Sequence, residues 1–245
     1  MKRMVQVLLL ILFSIIIMAG SWYIIFEVLG GGSTGTTGGN TEYGKSSLFG
    51  TDRGSGSDVS SESTESTTNI PQPLSEDTGV IYIGDSRFVG MNDVCHIDNG
   101  TNRFIVAKVG QGLSWLKRDG LVQAQQIEAS HPELTHFKYV ICLGVNDLVN
   151  INDYMEEYRQ LAVDHDLTLV SVGPVGQYPG LSNEEIEGFN SQIKALCEEL
   201  QIPYVDDYTV LTTEGYETQD GLHYKDAVYE RIYQILKQQV EGITS

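Results

Sequence analysis

Cysteine is scarce in this chain. Cys95, Cys142 and Cys197 are too few and too scattered for a disulfide framework, leaving at most one bridge and a spare thiol. Basic residues are scarce too: the chain has 33 Asp and Glu against 15 Lys and Arg, and beyond residue 75 the balance is 27 to 11, a net charge of −16. A field of that sign opposes nucleic acid and anionic lipid surfaces as partners and suits neutral substrates. The histidines, His96, His131, His136, His165 and His223, show neither HxxxH nor HExxH spacing. Asp164-His165-Asp166 reads as a solvated helix end rather than a ligand set, so no metal and no cofactor is expected.

One long apolar run is present. Met1-Lys2-Arg3 places two positive charges before Met4 to Phe26, whose only polar members are Gln6, Ser14 and Ser21. As a helix this run would rise roughly 35 Å, enough to cross a bilayer core of about 30 Å. Ala19-Gly20-Ser21 also fits a cleavable signal peptide, but the apolar stretch continues through Trp22 to Phe26, which favours an uncleaved single-pass anchor. The basic end would stay inside, so the rest of the chain is expected to be extracellular, or secreted if cleavage occurs.

Residues 30–75, with Gly-Gly-Gly at 30 to 32 and a Ser/Thr/Glu run from Ser57 to Thr68, lack the apolar surface to offset their ordering entropy. They are expected to form a flexible tether with an r.m.s. reach of about 37 Å. Regular alternation of apolar and polar segments begins near residue 76. The expected organisation is therefore an anchor over 1–29, a linker over 30–75 and one folded domain over 76–245.

In that domain short apolar runs recur at Val80 to Ile83, Phe104 to Val109, Phe137 to Leu143, Leu167 to Val172, and Tyr204 with Val205. Continuous runs of this kind suit strands buried on both faces. Between them lie helical lengths: Leu113 to Ser130, Asp153 to Ala162, Asn183 to Leu200 and Lys225 to Val240, with a shorter helix opening at Ser86. Ile186, Phe189, Ile193, Leu196 and Leu200 form one apolar helix face, and Ser182 with Glu185 fits a capping box ahead of it. The alternation predicts an α/β fold: a three-layer, doubly wound, flavodoxin-like parallel sheet of about five strands, with ligands bound beyond the strands' carboxyl ends.

Four short motifs fall at those ends. Gly84-Asp85-Ser86-Arg87 follows the first strand, where Ser86 is a candidate nucleophile whose N–H at a helix start is free to stabilise an oxyanion. Gly110-Gln111-Gly112 follows the second, where a glycine permits close approach of backbone to substrate. Gly144-Val145-Asn146-Asp147 follows the third, and Asn146 offers a neutral amide donor. Asp220 and His223, three apart before the last helix, supply a carboxylate and an imidazole that one turn brings together. A serine hydroxyl needs such a base, and the base needs a group that holds its tautomer. Each motif alone has an ordinary capping or turn explanation. Their coincidence on one sheet edge is the signal.

This set, Gly-Asp-Ser, Gly, Gly-x-Asn-Asp and Asp-x-x-His in that order over about residues 79 to 240, resembles the four blocks of the SGNH hydrolases, or GDSL-type esterases. The resemblance implies Ser86 as nucleophile, His223 as general base and Asp220 as its orienting partner. It implies an oxyanion hole of the Ser86 N–H, Asn146 and a glycine, with Gly112 preferred because Gly112-Leu113-Ser114 matches the family block and Gly110 in reserve. Arg87 departs from the usual leucine and is expected to alter the local pocket or its charge. Tyr178, Trp115 and the Gly173 to Gly180 loop are candidate pocket residues, Trp115 being equally readable as core.

The function expected is an exported, membrane-tethered serine esterase removing acetyl or other short acyl groups from a small molecule or from envelope or extracellular carbohydrate. An O-acyltransferase acting on cell-wall glycan and a surface carbohydrate-binding module without turnover are the alternatives. Retention of Ser86, Asn146, Asp220 and His223 argues against the last.

Overall fold

The computed structural model describes residues 73–243. The expected anchor and nearly all of the linker lie outside those residues. Among the described residues no helix is long and apolar enough to cross a membrane.

Five strands form the sheet: β1 (Thr78–Gly84), β2 (Arg103–Ala107), β3 (His136–Cys142), β4 (Asp166–Val170) and β5 (Tyr204–Val205). All pairings are parallel, in the order β2-β1-β3-β4-β5. Because the side-chain period of a strand is two, the apolar runs divide between the faces. Ile81, Ile83, Tyr139 and Ile141 belong to one core, and Val80, Tyr82, Val140 and Cys142 to the other. β1 is buried along its whole length, as a central strand covered on both faces must be.

The helices are α1 (Ser86–Cys95), α2 (Leu121–Ser130), α3 (Ile151–Asp164), α4 (Asn183–Leu200), α5 (Asp207–Glu214) and α6 (Asp226–Val240). Residues of α2, α3 and α4 pack into the first core, while α1 and α6 pack together on the second. This division follows from right-handed crossovers: moving outward from β1 to β2 and then back to β3 places successive helices on opposite faces. In α4, Ile186, Phe189, Ile193 and Leu196 are buried, each worth about 2 kcal/mol of apolar transfer. Ser182 and Glu185 form the expected capping box at its start.

Three expectations about the elements require revision. The helix expected over Leu113 to Ser130 is divided: a short helical lead-in at Leu113–Trp115, a π-turn at Leu116–Gly120, and then α2. The wider turn, closed by Leu121 N–H on the Leu116 carbonyl, leaves the buried Trp115 ring beside Gly120. Trp115 is 2% exposed and belongs to the core rather than to a pocket. β2 ends at Ala107, before Val109, which is 63% exposed as the chain leaves the sheet. α5 lies outside the expected elements, since its few buried residues make no apolar repeat. Its start is capped by the Asp206 carboxylate, which accepts from Thr209 N–H.

The three cysteines are free thiols, with Cys142 and Cys197 buried. His165 stacks on Tyr139 with ring centroids 4.4 Å apart, and Asp166 pairs with Lys138, so this tripeptide has structural partners.

Candidate active site

Gly84 lies opposite Ala107 on one side and Cys142 on the other, so β1, β2 and β3 end level with one another. The loops after them leave the sheet at a common edge, where Ser86, Gly112 and Asn146 are found. The chain returns to the same edge just before α6, bringing Asp220 and His223.

Asp85 caps α1 by accepting from Arg87 N–H at 2.9 Å. Ser86 is therefore the first residue of the helix, and its N–H precedes the first i→i−4 bond. The Asp85 carboxyl is 3% exposed, and burial raises its pKa against the opposing influence of the Arg87 charge, the Arg87 N–H and His223.

Ser86 Oγ lies 2.9 Å from His223 Nε2, and His223 Nδ1 lies 2.7 Å from Asp220 Oδ2. A carboxylate can only accept, so Nδ1 carries the proton and Nε2 is left to accept from the serine hydroxyl. The other Asp220 oxygen accepts from Leu222 N–H at 2.9 Å and His223 N–H at 2.7 Å. The His223 ring first, then these two amides, hold the Asp220 carboxyl well below the usual carboxylate range. Asp220 thus organises the loop backbone and the imidazole tautomer together. Gly221, between them, has φ +89°, and a Cβ there would overlap the Gln177 carbonyl, so this turn admits glycine alone.

On the other side of the edge, Asn146 Nδ2 donates to the Gln111 carbonyl at 2.8 Å, which joins Asn146 to the peptide that ends in Gly112. Asp147 completes the join. Its carboxylate accepts from Leu113 N–H at 3.0 Å, Tyr154 Oη–H at 2.7 Å and Asn150 Nδ2 at 3.2 Å. A Cβ on Gly112 would overlap that carboxylate. A Cβ on Gly110 would meet nothing within 4 Å, so of the two glycines it is Gly112 that is held against the Asn146-Asp147 turn.

Two residues of the site had no role assigned from the sequence or a different one. Asp147 was visible only as the end of Gly-x-Asn-Asp. Arg87 was expected to change the pocket, yet it is 5% exposed and its donors go to the carbonyls of Leu222, Gly173 and Pro174. The sequence marked Arg87 only as a departure from leucine; its burial and its carbonyl partners follow from the packed fold. Tyr178, by contrast, is 39% exposed on the loop after β4.

The arrangement is a serine with its proton acceptor in place, an acceptor held in one tautomer, and a neutral amide and a glycine backbone held nearby. It has the parts for nucleophilic attack on a carbonyl and for stabilising the resulting oxyanion.

No protein-family profile and no curated protein matches the sequence. Solved structures do match. A protein described as a candidate SGNH hydrolase from Slackia heliotrinireducens superimposes with a TM-score of 0.54 at 11% identity, over 66% of this chain and 98% of that one. A member of the lipolytic G-D-S-L family from Veillonella parvula gives 0.53 at 14% identity, over 68% and 100%. A protein from Streptococcus pneumoniae described as a candidate platelet activating factor gives 0.50 at 21% identity, over 70% and 85%. At these identities the likeness is one of fold: the described domain has the α/β fold of the SGNH and GDSL-type hydrolases.

Proposed function

We propose that this chain is a serine ester hydrolase, exported and tethered to the membrane by its N-terminal segment, which removes short acyl groups, acetyl foremost, from envelope or extracellular carbohydrate. The observation that carries the reading is the hydrogen-bonded series Asp220–His223–Ser86, with both contacts to the imidazole below 3 Å.

In the reaction Ser86 Oγ attacks the ester carbonyl as His223 Nε2 takes its proton. The imidazolium formed is stabilised by the Asp220 carboxylate 2.7 Å away. The tetrahedral oxyanion is held by the Ser86 N–H, the Gly112 N–H and Asn146 Nδ2, each such donor being typically worth about 3 kcal/mol of barrier. His223 then protonates the leaving alkoxide, and water activated by the same nitrogen hydrolyses the acyl-serine.

A carbohydrate substrate is supported by how open the edge is. Asn146 is exposed, and the side chains of His223 and Asp220 are 33% and 52% exposed, so the groups that flank Ser86, itself 6% exposed, face solvent. Tyr178, 39% exposed on the loop whose Gln177 carbonyl lies against Gly221, offers an amphipathic aromatic side chain beside the site. The acidity of the domain fits a neutral substrate rather than a nucleic acid.

The full-length chain is expected to hydrolyse p-nitrophenyl acetate, and Ser86→Ala to lose at least about 10³-fold of that activity with the far-ultraviolet spectrum unchanged. An active Ser86→Ala variant would falsify the assignment. Adding an acceptor glycan and measuring how the acyl group divides between sugar and water separates hydrolysis from acyl transfer.

A further inference from the structure

The buried Arg87 side chain spans three pieces of chain that meet only in the folded state. Its Nε donates to the Leu222 carbonyl at 3.2 Å, its Nη1 to Gly173 at 2.6 Å and its Nη2 to Pro174 at 3.2 Å. Tyr224 lies beneath the guanidinium, 4.8 Å from ring centroid to Cζ, and its hydroxyl donates to the Pro174 carbonyl at 2.7 Å. The Gly221 carbonyl in turn accepts from Gly176 N–H at 2.8 Å. Leu222 is the residue between the glycine turn and His223. Arg87 is the residue after Ser86.

We infer that Arg87 is a positioning residue: by holding the Leu222 carbonyl from the first turn of α1, it sets the distance between His223 Nε2 and Ser86 Oγ. The inference rests on the esterase reading for its kinetic consequence, although its structural content does not. Nucleophile and imidazole sit on segments 137 residues apart in sequence. Without a rigid link their separation would follow the fluctuations of an irregular loop. Arg87 supplies that link from the peptide unit adjoining the nucleophile. A planar fork with five N–H groups suits three carbonyls in different directions, whereas a lysine ammonium at the end of a flexible stem does not. The leucine usual in related motifs would leave the Leu222 and Gly173 carbonyls without this donor. The guanidinium is not aimed at a substrate, so it takes no part in the chemistry itself.

The test uses full-length Arg87→Lys, which keeps the charge and removes the fork. Misplacement of a catalytic group by about 1 Å can cost on the order of 10²-fold, so kcat for p-nitrophenyl acetate should fall by about 10- to 100-fold with KM within about twofold. Amide exchange provides a readout independent of turnover: protection of residues 221–224 should fall by about tenfold while that of Val80 to Ile83 is unchanged. Tyr224→Phe, which removes only the hydroxyl bond to Pro174, should lower kcat by less than about threefold, within the worth of one neutral hydrogen bond partly replaced by the Arg87 donor. Unchanged kcat and exchange in Arg87→Lys would overturn the inference. So would equal loss of protection in both segments, which marks a general stabiliser, or a Tyr224→Phe defect as large as that of Arg87→Lys, which places control at Pro174. Local loss of protection in a protein whose parent hydrolyses no ester would uphold the positioning role and sink the esterase reading.

Discussion

Replacing Asp220 by Asn changes one atom and inverts the hydrogen-bond logic of the site. Oδ1, which accepts from Leu222 and His223 N–H, is retained, so the loop keeps its backbone partners. At the position of Oδ2 the new amide offers a donor where His223 Nδ1 needs an acceptor. The imidazole then settles with its proton on Nε2 and donates to Ser86 instead of accepting from it. Two costs follow: loss of a bond to a charged group, about 1.5–3 kcal/mol, and restoration of the productive tautomer against an opposed donor, about 1–3 kcal/mol. Where the carboxylate of such a triad is buried, the corresponding change lowers kcat by about 10⁴. Here the Asp220 side chain is 52% exposed, and water can replace part of what the carboxylate provides. We therefore expect kcat to fall by roughly 10²–10³, equivalent to about 3–4 kcal/mol of barrier. Steady-state hydrolysis of p-nitrophenyl acetate measures this, with a urea midpoint to confirm that stability is little changed. Activity within about fivefold of the parent protein would refute the reasoning, because it would mean that Asp220 does not set the state of His223.

Two further changes probe the rest of the sheet edge. Asn146→Ala removes an oxyanion donor and the bond to the Gln111 carbonyl, so kcat should drop by about 10²-fold with little effect on KM or on the melting temperature, Asn146 being exposed; a change confined to KM would disprove the donor role. Asp207, wholly buried at the start of α5 and bonded to the Ser171 hydroxyl, has its carboxyl pushed up to about 7, chiefly by burial. Its folded-state pKa exceeds the unfolded value of about 3.9, so the folded protein binds the extra proton, and stability declines as pH rises from about 4 to about 7. Asp207→Asn should abolish that component, gaining up to about 4 kcal/mol relative to the parent at pH 8 compared with pH 4. Urea midpoints of both proteins across this range that run parallel would exclude it.

The apolar runs were enough to locate all five strands and the four longest helices, because a strand buried on both faces must be continuously apolar and an amphipathic helix must repeat every three to four residues. Where their ends shifted it was by one or two residues, as at Val109, which turned out to solvent. α5 leaves no periodic apolar pattern, because its three buried residues, Asp207, Tyr208 and Leu211, include only two that are apolar. The site was legible for a different reason. Ser86, Asn146, Asp220 and His223 are chemically distinctive residues at the ends of recognisable elements; strand order brings Ser86 and Asn146 to one edge, and the return of the chain before α6 adds Asp220 and His223.

What the chain's local pattern determined by itself is the α/β order, the capping box, and which residue types arrive at the catalytic edge. Which donors and acceptors meet there was decided by the tertiary structure. The choice of Gly112 over Gly110 depends on an Asp147 carboxylate 35 positions away in the chain. The role of Arg87 depends on a carbonyl 135 positions away. Periodicity reports which face of an element is apolar and carries no information about the direction of a single polar side chain inside the core. That direction follows from which carbonyls burial has left without a partner, a property of the packed fold and not of any segment in it.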